Sequence, residues 1–236
     1  MRQYAAQGAT VGLYARRASE LARIAAALAP DRVATYAGDV RDADSVAKAA
    51  NAFIARFGTP DVVVANAGVS LGTATDYADG LATFRDVLET NVVGLLNTFQ
   101  PFVAPMRAAR HGTLVGVASI AGFRGQPGSG AYSASKAAAI AYLESLRVEL
   151  RGSGVAVVTV CPGYVDTPMT TGNPYPMPFL MRPDAAARSI VRAVARRKRF
   201  HVLPWPMALF GRMFRALPRP LYDRMFANAP RKPRTR

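Results

Sequence analysis

Three stretches, DVVVANAG at 61–68, GTLVGVASIAG at 112–122 and VAVVTVCPG at 155–163, begin as near-continuous apolar runs that do not alternate with polar residues. A strand of that kind is covered on both faces, which is the habit of parallel sheets flanked by helices. Shorter apolar runs at 9–15 (ATVGLYA), 32–40 (RVATYAGDV) and 199–204 (RFHVLP) read as further strands. Helical patterns stand between them. ASELARIAAALA carries Leu21, Ile24 and Leu28 at helical spacing. In DADSVAKAANAFIARFG, Asp42 is a suitable N-cap, Val46, Phe53 and Phe57 face inward, and Gly58 is a stop. Longer helices are expected over about 83–109, about 131–151 and 184–197. Strands alternating with helices predict a doubly wound α/β fold. It occupies residues 1–203, and a basic, proline-rich amphipathic extension follows over 204–236.

Composition removes several classes of function. Cys161 is the only cysteine, so neither an internal disulfide nor a cysteine metal cluster can form. His111 and His201 lie far apart with no carboxylate pattern nearby, and no metal is expected. The opening residues lack an apolar stretch ahead of a small-residue cleavage site, and no run of about 18 apolar residues exists. The expected compartment is the cytosol. The net charge is +15, yet residues 188–236 hold 14 of the 30 Lys and Arg against a single acid, Asp223. The charge belongs to the C-terminal fifth.

Chemistry concentrates near YSASK. Tyr132 and Lys136, four residues apart on a helix, share one face. A phenol titrates near 10, and a neighbouring ammonium lowers that value, so the pair suits general acid/base work. Alone, it reads as readily as a surface tyrosine and a solvated lysine. Its surroundings sharpen it: Ser119, Asn66, Asp39 and the Pro162-Gly163 pair all fall at strand C-termini, the rim where open α/β sheets bind ligands. Asn91, in ETNVVGLL, sits mid-helix on a mostly inward face. It requires partners for its amide there and otherwise serves as a polar plug.

In that combination the chain resembles the short-chain dehydrogenases/reductases over about residues 1–200. YSASK is similar to the family's YxxxK, and ANAG to its NNAG with Ala65 in place of the first Asn. GYVDTPM resembles the loop that closes over the nicotinamide. The resemblance implies a Rossmann-like oxidoreductase with four catalytic residues. Tyr132 exchanges the proton with the substrate oxygen, Lys136 tunes that phenol and binds the nicotinamide ribose, Ser119 polarises the carbonyl, and Asn91 holds a relay water. It further implies cofactor contacts from Asp39, Val40, Asn66, Ala67, Gly68, Pro162, Gly163, Val165 and Thr167, and homo-oligomers through the helix carrying Tyr132. A small-molecule carbonyl or alcohol is the implied substrate.

The end of the strand at 9–15 indicates which nicotinamide cofactor. A 2′-hydroxyl is met there by an acid and a 2′-phosphate by a cation. The chain supplies Arg16 and Arg17, with Arg16 suited to bidentate phosphate contact. NADP(H) is preferred, and NAD(H) is the alternative. The same resemblance makes MRQYAAQG the C-terminal end of a helix that would follow a first strand and a glycine-rich turn. With both absent, the strands at 9–15 and 61–68 would flank a slot of roughly 10 Å. We therefore expect either a start placed too far downstream, with the intact protein a working reductase, or an impaired relative that acts as a binding or membrane-surface protein.

Met169, Tyr175, Met177, Phe179, Leu180 and Met181 crowd the loop between Thr167 and Pro183, suiting an apolar substrate or simple loop packing. In the tail, Met207, Phe210, Phe214 and Leu217 recur at helical spacing, with Arg212, Arg215 and Arg219 largely off that stripe. Such a helix suits an anionic membrane surface, a lid or a subunit contact. Nothing resembles a base-reading helix or a stacking platform, so no specific nucleic acid is expected.

Overall fold

The computed structural model describes residues 1–230 except Tyr77, Gly172 and Pro174. The cations of RKPRTR at 231–236 lie outside the described residues. A short helix α1 (Arg2–Ala5) leads through Gly8, at φ +81°, into β1 (Val11–Ala15). Next come α2 (Ala18–Ala25), β2 (Val33–Ala37), α3 (Ala43–Phe57) and β3 (Val62–Ala65). Asp42 caps α3 by accepting from the Ser45 N–H, and Gly58, at φ +83°, follows its end.

The single long helix expected over 83–109 is broken. It comprises α4 (Gly80–Leu88), a π-turn at Glu89–Val93 and α5 (Gly94–Ala109). After β4 (Thr113–Val117) come α6 (Gly130–Glu149), β5 (Ala156–Pro162), α7 (Pro183–Ala195) and β6 (Phe200–Leu203). The tail forms α8 (Pro206–Ala216) and α9 (Arg219–Phe226).

All strand pairs are parallel, in two sheets: β1–β2, and β3–β4–β5–β6 in that order. Among the described residues no strand joins β1 to β3. The period of two in the central strands divides the core. Leu114, Val157 and Cys161 face a layer built with Leu95, Phe99, Met106 and Leu143 from α5 and α6. Val115, Val158 and Val160 face the opposite layer with Ala186 and Val194 of α7. Helices cover both faces, so the fold is doubly wound and every strand delivers its carboxyl end to one edge.

Candidate active site

Ser119 stands two residues past β4. It is buried, its backbone extended, and its Oγ accepts from the Ala121 N–H at 3.1 Å to cap the turn Ile120–Gly122. That turn lies against the first part of α6. An ideal Cβ at Gly122 would stand 2.7 Å from the carbonyl carbon of Lys136, an approach open only to glycine. Tyr132 and Lys136 therefore project beside Ser119, and Tyr132 shares a hydrogen bond with it.

Lys136 is 5% exposed; its Nζ donates to the Val117 carbonyl at 2.8 Å and lies 5.8 Å from the centre of the Tyr132 ring. Gly68, past the end of β3, closes the other side: a Cβ there would stand 3.2 Å from Asn91 Oδ1 and 3.5 Å from Lys136 Nζ. Asn91 itself occupies the π-turn and is 1% exposed. Its Oδ1 accepts from the Val69 N–H at 2.8 Å, while Nδ2 donates to the Val69 carbonyl and to Ser135 Oγ, each at 2.9 Å. Ser135 in turn donates to the Tyr132 carbonyl at 2.8 Å. The amide is a clamp joining the loop after β3, the helical break and α6, and these three bonds go to protein groups.

Burial governs the protonation behaviour. It raises the Tyr132 phenol above its ordinary value, against a smaller lowering by Ser119. Burial also lowers Lys136 from 10.5 to about 8. The expected lowering of the phenol by Lys136 does not set its direction in the protein alone: Lys136 is drawn to the Val117 carbonyl, and burial is the largest influence on the phenol. Cys161 is fully buried at the same rim, with its thiol pushed up to about 12, mainly by burial, so it is no nucleophile at neutral pH.

The second group of residues lies on the β1–β2 sheet. Arg16 and Arg17 follow β1 directly and are exposed. Asp39 stands two residues beyond β2, not at its end. Its Oδ2 accepts from Arg41 Nε and Nη2 at 3.0 and 2.8 Å, with Arg16 Nη1 4.0 Å away. Hydrogen bonding by Arg41 holds this carboxyl below its usual range, and Arg16 adds a smaller share. Arg41 was not among the expected site residues, although GDVRD places it two residues after the acid. Val40 is half-buried, and its Cγ2 lies against Gly94 at the start of α5.

Asn66 and Ala67, just past β3, are exposed. Beyond β5, the Gly163 N–H donates to the Leu203 carbonyl at 2.7 Å, and Val165 bridges to Met181. The Thr167 N–H donates to Thr170 Oγ1 at 3.1 Å, and the Thr170 hydroxyl donates to the Val165 carbonyl at 2.7 Å. Thr170, unremarked in sequence, thus pins this loop.

Residues 1–175 match the family model described as short chain dehydrogenase. The chain belongs to the short-chain dehydrogenase/reductase family. Within that family of NAD(P)-dependent oxidoreductases, it is 42% identical over 185 residues to an uncharacterized oxidoreductase of Myxococcus xanthus, covering 78% of this chain and 73% of that protein. It is 38% identical to cis-4-hydroxycyclohexanecarboxylate dehydrogenase of Sinomonas cyclohexanicum, over 67% of this chain and 62% of the relative. Among solved structures, an alcohol dehydrogenase from Thermococcus sibiricus complexed with 5-hydroxy-NADP superposes with a TM-score of 0.73 at 27% identity. That match covers 86% of this chain and 87% of the other.

Proposed function

We propose that this protein is an NADP(H)-preferring oxidoreductase that interconverts a carbonyl and an alcohol on a lipophilic small molecule. The observation that carries this reading is the buried Lys136 at the sheet's carboxyl edge, its Nζ 5.8 Å from the centre of the Tyr132 ring, with Ser119 buried beside them. The Tyr132 hydroxyl donates its proton to the substrate oxygen in reduction and recovers it in oxidation. Ser119 donates a hydrogen bond to that oxygen. Lys136 stabilises the phenolate left behind, and Asn91 fixes the geometry through Val69 and Ser135. If a relay water serves Lys136, main-chain groups of the π-turn suit it, since the Asn91 amide is already engaged.

The residues at both ends of a dinucleotide fit NADP(H). Arg16, with Arg17 beside it, suits the 2′-phosphate, and Asp39 and Val40 the adenine end. Lys136 and Tyr132 suit the nicotinamide ribose, flanked by Asn66, Ala67, Gly68, Pro162, Gly163, Val165 and Thr167. The bound cofactor would supply or accept the hydride. No residue of this chain is assigned to its pyrophosphate. The Thermococcus neighbour, complexed with 5-hydroxy-NADP, supports the choice of cofactor.

Exposed Met169, Phe179 and Leu180 beyond β5 support an apolar substrate. Exposed Leu96 on α5 and Val148 on α6 support a homo-oligomer through those helices. We place the protein in the cytosol, with residues 1–203 as the enzyme unit and the 204–236 extension resting on an anionic membrane surface.

NADPH oxidation against a panel of carbonyls tests the reading. Tyr132→Phe should lower kcat by about 10²–10⁴, far more than the loss of its ribose contact weakens NADPH binding; equal rates in the variant overturn the mechanism. The alternative reading is a catalytically impaired protein that acts by binding without turnover. Failure of the wild type to bind NADPH would select it.

A further inference from the structure

A groove of about 340 Å³ opens between α7 and the segment running from β6 into α8, on the face of β6 covered by α7. Arg188 and Arg192, one helical turn apart, line one wall with Ser189, whose Oγ is 2.9 Å from His201 Nε2. Met181 and Trp205 complete the lining. Both arginines are exposed, and no described ion pair engages either. Desolvation first, and then the charges of Lys198 and Arg192, lower the His201 pKa.

From Trp205 in the groove lining, an exposed apolar stripe runs along α8. Trp205, Leu209 and Met213 recur every four residues and are 78%, 58% and 60% exposed. They do not face the core because Met207, Gly211 and Phe214 already do. Gly211 lies directly on the Phe123 ring, and Arg124 donates to the Phe214 and Leu217 carbonyls while its guanidinium covers Tyr222 of α9. The tail is thus tied to the protein by its inner face, and its outer apolar stripe is left beside a cationic groove.

We propose that this groove binds the phosphodiester headgroup of an anionic phospholipid, with the acyl chains lying against Trp205, Leu209 and Met213. Paired guanidinium groups suit phosphate oxygens, and a tryptophan with aliphatic neighbours suits the interfacial region of a bilayer. A soluble anion would have no use for the stripe, and a purely apolar partner none for the arginines. The assignment rests on the membrane-surface reading above. Met181 joins the groove to the loop over the active site, since its backbone bonds both Tyr164 and Asp166.

Trp205 is the only tryptophan, so its emission reports this site alone. The full chain is titrated with phosphatidylcholine vesicles, with and without phosphatidylglycerol, near physiological salt. Blue-shifted emission is expected only with phosphatidylglycerol. Arg188→Gln/Arg192→Gln should weaken binding about thirtyfold, and Arg212→Gln/Arg215→Gln, equal in charge but outside the groove, distinctly less. Equal weakening by both pairs overturns the groove and leaves the membrane reading standing. No binding by the wild type overturns both. Glycerol 1-phosphate or polyglutamate matching the vesicles in affinity would make this a soluble-phosphate or acidic-protein site and overturn the lipid assignment.

Discussion

Lys136 is a cation in the driest part of the rim, and its environment makes a measurable prediction. Its pKa falls from 10.5 unfolded to about 8 folded. Between those values the unfolded chain binds more protons, so this group makes stability rise with pH from about 8 towards 10 and be lost as pH falls through 8. Urea unfolding across that window, compared with Lys136→Met, should show the rise in the wild type and its absence in the variant. Asn91 makes the complementary case. Asn91→Ala strips partners from the Val69 N–H and carbonyl and from Ser135, at about 1–3 kcal/mol for each group left unsatisfied; urea midpoints should drop accordingly. The spacing of YSASK made the closeness of Tyr132 and Lys136 legible in sequence. Ser135 at Asn91 was not legible, because that partnership depends on where a separate element comes to rest; Arg41 lies only two residues from Asp39, and its pairing is local.

Among elements, the end of β1, where the proposed function puts the 2′-phosphate, carries the most direct test. Arg16→Ala should weaken NADPH binding about tenfold or more, the scale of one charge-assisted hydrogen bond, with NADH unaffected. Cofactor fluorescence titrations would show this, and equal losses for both cofactors would remove Arg16 from the 2′-phosphate. The π-turn between α4 and α5 shows what periodicity cannot convey. The residues of ETNVVGLL suit an ordinary helix, and only the docking of Asn91 on Val69 and Ser135 favours the extra residue in the turn. Helix α8 teaches the same lesson. Its expected stripe of Met207, Phe210, Phe214 and Leu217 turns instead to Met207, Gly211 and Phe214, because Phe123 occupies the space that only a glycine leaves. Gly211→Ala should cost about 1–3 kcal/mol by overpacking and lower the thermal midpoint.

At the scale of the molecule, the division into two sheets sets an order of stability. Central β4 and β5 pair on both sides and bury both faces, whereas among the described residues β1 and β2 pair only with each other. Native-state hydrogen exchange should find the β4 and β5 amides opening near the global free energy and the β1–β2 pair opening well below it. Bound NADPH should narrow that difference, because its expected contacts span both sheets. Charge follows the same division. The excess cations fall from α7 onward in the sequence, with Arg188 and Arg192 in the groove, so salt should weaken vesicle binding more than it alters turnover.

Much could be read from sequence alone: the alternation of strands and helices, the carboxyl-edge rim, the Tyr132–Lys136 pair and the cation at the end of β1. Each is a consequence of residue type and local spacing, since period, turn chemistry and side-chain pKa act over a few residues. Only the tertiary structure decided that burial raises the phenol, that the Asn91 amide is spent as a clamp, and that the tail shows solvent a second apolar face. Those outcomes depend on desolvation and on which surfaces meet, and both are set by contacts between residues distant in the chain.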